Sequence, residues 1–355
     1  MLRPKQLLHF SLLSMEQLNL LYIRKLSRFL RENPCQDFDL LKEMLYPLLD
    51  KLYKPDDVFD IQLKNGLSLE FVYKSVISKE ILLRDVLAPD HVWEPMTTKV
   101  MQLILSQRPG SCLICGAYFG DHAVLAANLL RSQDNQQNKV IAIEPNVEQY
   151  QFLCKNLKSN GLDEHAVTLN SFLWSSVGVP LSLDDRDSLA SARIDADSSS
   201  LSITIDAVAS SAPIGKSFSL IMLDIEGGEC EAFKGASSLI SLGSDSAPDL
   251  IFEVNSRYTS WEFGFKNIEV ISLLLKHGYQ IMAIRDGQTN FSFNLRKPEL
   301  IPLEHLYLSG PPHGFNLVAS KRSDFFVDQN FDFVENVSPK YLRHRDPSLF
   351  APFHG

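Results

Sequence analysis

Apolar residues first recur at helical spacing. Leu18, Leu21, Tyr22, Leu26, Phe29 and Leu30 form one stripe behind a capping box of Ser14 and Gln17, and Asn33-Pro34 predicts where that helix stops. A second helical segment, Phe38 to Tyr53, is interrupted at Pro47 and closed by Pro55. The period then drops to two: VFDIQLKNGLSLEFVY alternates apolar and polar residues on both sides of Asn65-Gly66, which predicts a β-hairpin. Residues 1–90 thus read as an N-terminal extension with its own apolar faces, suited to packing, dimerisation or service as a lid, and carrying no chemistry.

Beyond residue 90 the chain alternates strands with helices. HVWEPMTTKVMQLILSQRPG predicts a helix opened by Pro95, and SCLIC, VIAIEP and AVTLNSFLW predict three strands separated by the helices HAVLAANLLRS and NVEQYQFLCKNLKSNGL. A Ser- and Asp-rich stretch from Val177 to Ala212 carries short alternating runs, expected to hold one or two edge strands and a loop. FSLIMLDI and PDLIFEVNSRY are further strands, FKNIEVISLLLKHG a helix, and YQIMAIRDG and GFNLVASKR two final strands without a long helix between them. This order predicts an α/β, Rossmann-like sheet of seven strands with the last antiparallel.

The turn after SCLIC is the first candidate site. Gly116 ends the strand and Gly120 follows four residues later, so backbone can approach a ligand closely, and the next helix presents free N–H groups to it. Glu144 closes the second strand, where an acidic side chain can reach a ribose diol. Gly116, Ala117, Tyr118, Gly120, Asp121, Glu144, Pro145 and Asn146 are therefore candidates for holding a nucleoside-bearing cofactor. A dinucleotide wants G-x-G-x-x-G, and Tyr118 stands at the middle glycine. GxxxG with an acidic strand end suits S-adenosylmethionine better, because its methionine end carries one carboxylate and no phosphate. Ser171 and Phe172 fall near the expected adenine. Glu94 and Thr97, with Thr98, stand at the entrance of the Pro95 helix, where they meet the cofactor's ammonium and carboxylate or cap the helix.

LDIEGGECEAFKGA is the second candidate. Period two puts Asp224 and Glu226 on the same side at a strand's exit, and Glu229 in the first turn of the following helix. Ionised carboxylates leaving a buried strand are costly unless paired or facing a ligand, and ligands of open α/β sheets bind at that edge. Glu253 ends the next strand, and His122 opens a helix at the same edge. Asp224, Glu226, Glu253 and His122 are the catalytic candidates. No cluster has the ligand spacing of a dedicated metal site, so no metal is expected.

Composition narrows the partners. The 355 residues, 45% hydrophobic and 22% charged, are ordinary for a globular protein, and a net charge of −9 argues against a nucleic-acid surface. A small-molecule substrate is expected instead. No apolar run reaches membrane-spanning length and no signal-peptide pattern is present, giving a cytoplasmic expectation. Five scattered cysteines make no disulfide framework, and Cys112 and Cys115, three apart in a strand, point to opposite faces and read as core residues.

VIAIEPNVEQYQFLCKNLKSNG, LDIEGGECEAFKGA and LIFEVN resemble the FkbM-type S-adenosylmethionine-dependent methyltransferases over roughly Val92 to Arg322. The resemblance implies the seven-stranded methyltransferase sheet over residues 91–322, methylation of hydroxyl groups on natural products or glycans, and cofactor roles for Gly116, Gly120, Glu144 and Asp224. GAYFGDHAV departs from the family's G-A-N-x-G. Residues 1–90 and an aromatic tail, 323–355, lie outside the shared pattern, and the extension is a candidate homodimer contact. An NAD(P)-dependent oxidoreductase and a non-catalytic protein with this fold are the alternatives.

Overall fold

The computed structural model describes residues 15–32, 41–84, 88–133, 137–184, 190–211, 217–287, 296–307 and 314–340. Ser14, Asn33-Pro34 and the start of the Phe38 segment, on which helix boundaries were expected, lie outside these residues. In chain order the N-terminal part holds α1 (Met15–Glu32), α2 (Tyr46–Leu52), β1 (Val58–Gln62), β2 (Ser68–Val72) and α3 (Val76–Leu82). The strands pair antiparallel from Val58↔Val72 to Gln62↔Ser68, the hairpin that Asn65-Gly66 predicts.

The larger part continues with α4 (Pro95–Gln107), β3 (Ser111–Cys115), α5 (Asp121–Arg131), β4 (Val140–Ile143), α6 (Val147–Ser159) and β5 (Ala166–Leu169). An excursion follows, with β6 (Phe172–Leu173), β7 (Leu181–Asp184), β8 (Ser191–Ile194) and β9 (Ser202–Ile203). Then come α7 (Ile205–Ser211), β10 (Phe218–Leu223), α8 (Glu229–Lys234), α9 (Ser237–Ile240), β11 (Asp249–Asn255) and α10 (Glu269–Lys276). β12 (Gln280–Arg285), β13 (Glu299–Pro302), β14 (Gly314–Ser320) and β15 (Asp332–Phe333) close the chain.

The main sheet runs β15-β13-β12-β14-β11-β10-β3-β4-β5. From β5 to β11 all pairs are parallel, and β14 lies antiparallel between β11 and β12. Those seven strands are the expected sheet with its reversed strand. Among the described residues the count nevertheless becomes nine, because β13 and β15 extend the edge beyond β12. They are too short to show in an apolar pattern. The excursion departs from expectation as well: β7 and β8 form their own antiparallel pair, and β6 pairs with β9, rather than adding edges to the main sheet.

Parallel strands covered on both faces should be apolar throughout, and all six residues of β10 and all five of β3 are buried. The two faces feed separate cores. Cys112 and Ile114 pack with α4, α5, α6 and the N-terminal part, whereas Leu113 and Cys115 pack with α7, α8 and α10. The two cysteines therefore face away from each other as their spacing requires, and burial pushes both thiols up. In the tail, Phe325 and Phe331 are buried in the core and Asp332 pairs with Glu299. Arg285 Nε donates to the Ser338 carbonyl and the Asp286 N–H to that of Pro339, which holds residues 338–340 beside the end of β12.

Candidate active site

A cavity of ≈ 340 Å³, of small-molecule size, opens at the carboxyl ends of β3, β4 and β10. Gly116, Tyr118, Asp121, Glu144, Pro145, Asn146, Ser171, Phe172 and Asp224 from the expected cofactor set line it, together with His122 and Glu226. Gly116 must be glycine: its φ is +77°, and a Cβ there would land on the Asp224 carbonyl oxygen. That close approach brings the end of β3 against the end of β10 and so sets the two informative motifs side by side.

Glu144 is buried, and its two carboxylate oxygens accept the N–H groups of Tyr118 and Asn146, each at 2.8 Å. Burial pushes its pKa up to about 7 despite these two donors. The Asn170 amide donates to the Glu144 and Pro145 carbonyls and holds the start of the Ser171–Phe172 wall. Asn146 caps α6, accepting from the N–H groups of Glu148 and Gln149.

At the other end of the cavity, Asp224, Glu226 and Glu253 bring carboxylate oxygens within 4.8 Å of one another. The expectation that no cluster has metal-ligand spacing is thereby corrected: these three carboxylates stand close enough to share a cation. β10 and β11 run in parallel with Leu223 opposite Phe252, so the acids one residue beyond meet. Burial pushes Glu226 and Glu253 up to about 8 each, with added repulsion from Asp224 on Glu226 and from Glu226 on Glu253; burial and Glu253 also raise Asp224. Glu226 Oε2 and Glu253 Oε2 are buried without a hydrogen-bond donor. Gly314 makes room for Glu253, whose carboxylate lies where a Cβ would stand. Glu229, by contrast, accepts from the Ile225 and Gly227 N–H groups and closes the loop that carries Glu226.

Other expected residues lie beside the cavity. Thr97 is fully buried, and Asp286 accepts from its N–H and hydroxyl and from the Met96 N–H, capping α4 from a distant strand. Glu94 accepts from the Asn316 amide at 2.5 Å and faces the Lys340 ammonium at 3.6 Å. Ala117, Gly120 and Glu253 stand behind the lining. His122 places Nδ1 3.4 Å from Asp121 and Nε2 3.2 Å from the Thr98 hydroxyl, so neither nitrogen is free of neighbours. Three of the four non-glycine residues with positive φ among those described, Glu94, Tyr118 and Glu226, sit at this edge.

Sequence reasoning missed Lys74, Ser75 and Ile77 of the N-terminal part, Trp93, and Leu183 and Ala192 of the β7–β8 hairpin, all of which line the cavity. They arrive from segments distant along the chain and carry no motif. The alternating pattern of the hairpin was the only available hint.

Residues 115–281 match the model of the Methyltransferase FkbM domain, which spans the Gly116 turn, Glu144 and the Asp224–Glu253 cluster. The match covers just under half of the chain; over those residues the chain is similar to the FkbM methyltransferase domain, whose cofactor is S-adenosylmethionine. Among solved structures, an FkbM methyltransferase from Methylobacillus flagellatus is 19% identical, with 48% of this chain and 39% of that chain aligned and a TM-score of 0.33. An O-methyltransferase from Bacillus cereus in complex with SAH is 12% identical over 85% and 100%, with a TM-score of 0.37. The O-methyltransferase TomG from Streptomyces achromogenes, involved in tomaymycin synthesis and in complex with SAM, is 13% identical over 69% and 89%, with a TM-score of 0.38. The chain spans well under half of the Methylobacillus protein, and no curated protein matches it. No helix among the described residues is long and apolar enough to cross a membrane.

Proposed function

We propose that the protein methylates a hydroxyl group on a small molecule, a natural product or glycan, with a carboxylate of its own as the base. The observation that carries this reading is the Asp224–Glu226–Glu253 cluster: Asp224 and Glu226 line the cavity, Glu253 stands behind them, and Glu226 Oε2 is buried without a donor.

The lining fits the cofactor. A sulfonium and an ammonium favour surrounding carboxylates, and Glu144, Asp121, Asp224 and Glu226 all face the cavity. Glu144 would take the ribose hydroxyls, Ser171 and Phe172 the adenine, and Asp224 the ammonium. When bound, S-adenosylmethionine supplies an activated methyl group. The chain's own work is to align the acceptor and receive its proton. Glu226 is best placed for the proton, since it lines the cavity and its Oε2 lacks a donor, whereas both nitrogens of His122 have polar neighbours. Tyr118 at the middle-glycine position speaks against a dinucleotide.

The experiment is calorimetry with S-adenosylhomocysteine and with NAD, followed by turnover of labelled S-adenosylmethionine over a library of hydroxylated acceptors, with Asp224→Asn as control. Binding of S-adenosylhomocysteine but not NAD, and methyl transfer lost in Asp224→Asn, are expected. NAD binding, or the absence of turnover on every acceptor, would overturn the reading. Activity should survive EDTA; abolition by EDTA and rescue by Mg²⁺ would give the three carboxylates to a cation instead.

A further inference from the structure

The N-terminal part is joined to the cofactor turn by three kinds of contact. The first is backbone recognition. Asn156 on α6 accepts the Glu70 N–H and donates to the Glu70 carbonyl, and Asn160, one turn on, treats Ser68 in the same way. The edge of β2 is thus paired by two side-chain amides as if by another strand. The same Asn156 amide donates to the Phe119 carbonyl inside the glycine-bracketed turn at 2.8 Å.

The second is a run of ring contacts from Tyr118 to Phe119, Phe71, Phe59 and Tyr53, with successive centroids 4.9, 5.8, 6.0 and 4.8 Å apart. The third is polar. The Tyr118 hydroxyl donates to Ser75 Oγ at 2.9 Å, and Ser75, which caps α3, lines the cavity itself. Tyr118 meanwhile holds a φ of +49°, a conformation that a bulky side chain adopts only when its surroundings compel it, and its own N–H is the donor on Glu144 Oε2.

We propose that Tyr118 is a positioning residue for the cofactor: anchored through its hydroxyl to Ser75, it fixes the turn whose N–H orients the Glu144 carboxylate, so the N-terminal part belongs to the cofactor site. This rests on the methyltransferase reading above. It gives the extension a function in the reaction, and it explains why tyrosine occupies a position where the turn would accommodate a smaller residue. The backbone of Tyr118 pulls Glu144 in one direction while its side chain is held from the other, and the strained φ persists because both ends are fixed.

The test uses the full chain and compares Tyr118→Phe, Ser75→Ala and their double variant, with Ser78→Ala as a control for the α3 cap. Ser78 completes the capping box with Ser75, whereas the Tyr118 hydroxyl bonds Ser75 Oγ. Loss of one hydrogen bond predicts S-adenosylhomocysteine binding weaker by about fivefold in each single variant, and no further loss in the double variant because both remove the same bond. The KM for S-adenosylmethionine should rise accordingly while kcat and the acceptor KM hold, and Ser78→Ala should stay within about twofold of wild type. Unchanged affinity in Tyr118→Phe, or single losses that simply multiply in the double variant, would overturn the proposal while leaving the cofactor reading intact. Wild-type protein that binds no S-adenosylhomocysteine would overturn both.

Discussion

Asn156, wholly buried on α6, forms both halves of a strand-like pair with the backbone of Glu70, accepting at 2.7 Å and donating at 2.8 Å. Removing it takes this partner from the part-buried peptide of Glu70 and from the buried Phe119 carbonyl. Asn156→Ala should therefore destabilise the protein by about 2 to 4 kcal/mol, since each orphaned group costs roughly 1 to 3 kcal/mol. Urea unfolding measures this, and hydrogen exchange should show the Glu70 amide losing protection first. A loss below ~0.5 kcal/mol would mean that the hairpin is held by its rings alone.

Glu144 should dominate cofactor affinity. Hydrogen bonds from a ribose diol to a charged carboxylate are worth ~1.5 to 3 kcal/mol each. Glu144→Ala is expected to weaken S-adenosylhomocysteine at least tenfold with the circular-dichroism spectrum unchanged; equal affinity would remove Glu144 from the site.

The carboxylate cluster makes stability fall with pH. Burial raises Glu226 and Glu253 to about 8, above the ~4.3 of an unfolded glutamate, so the folded chain holds protons that the unfolded chain releases. Their stabilising contribution is complete below that unfolded value and is lost as pH climbs through about 8. The Tm of the cofactor-free protein should decline from pH 6 to 9, and Glu226→Gln should flatten the decline. Turnover should move the other way, rising through about pH 8 as the base ionises. A profile that Glu226→Gln leaves unchanged would take the base role away from Glu226.

Gly314 offers a test of Glu253. A methyl group at residue 314 would occupy the place of the Glu253 carboxylate, so Gly314→Ala must push it out of the cluster. Lower kcat with S-adenosylhomocysteine affinity held within about twofold is the expected result, as a loss confined to the acceptor end should read. If kcat holds as well, Glu253 has no part in the chemistry.

The sheet and half of the cavity lining were legible because local patterns encode them. Unbroken apolar runs mark β3 and β10, glycines mark the turn, and acids that close apolar strands mark Glu144, Asp224 and Glu226. Glu253 was visible as a strand end, but its meeting with Asp224 follows from the β10–β11 register, which no single segment records. The wall formed by Lys74, Ser75 and Trp93 was hidden for a different reason. Ser75 and Tyr118 lie 43 residues apart, and nothing in either segment specifies the other. The Asn156–Asn160 pair looked like an ordinary helix end, because its partners are backbone groups, which look alike in every sequence.

Lys340 reaches Glu94 from the far end of the described chain, while Lys74 and Ser75 reach the cavity from near its beginning. The site is thus closed by contacts of very long sequence separation, a topology that folds slowly. During synthesis on the ribosome the Gly116 turn and Glu144 emerge long before residue 340 does. A nascent chain can therefore have formed the Gly116 turn and Glu144 while Glu94 still lacks the ammonium group that faces it.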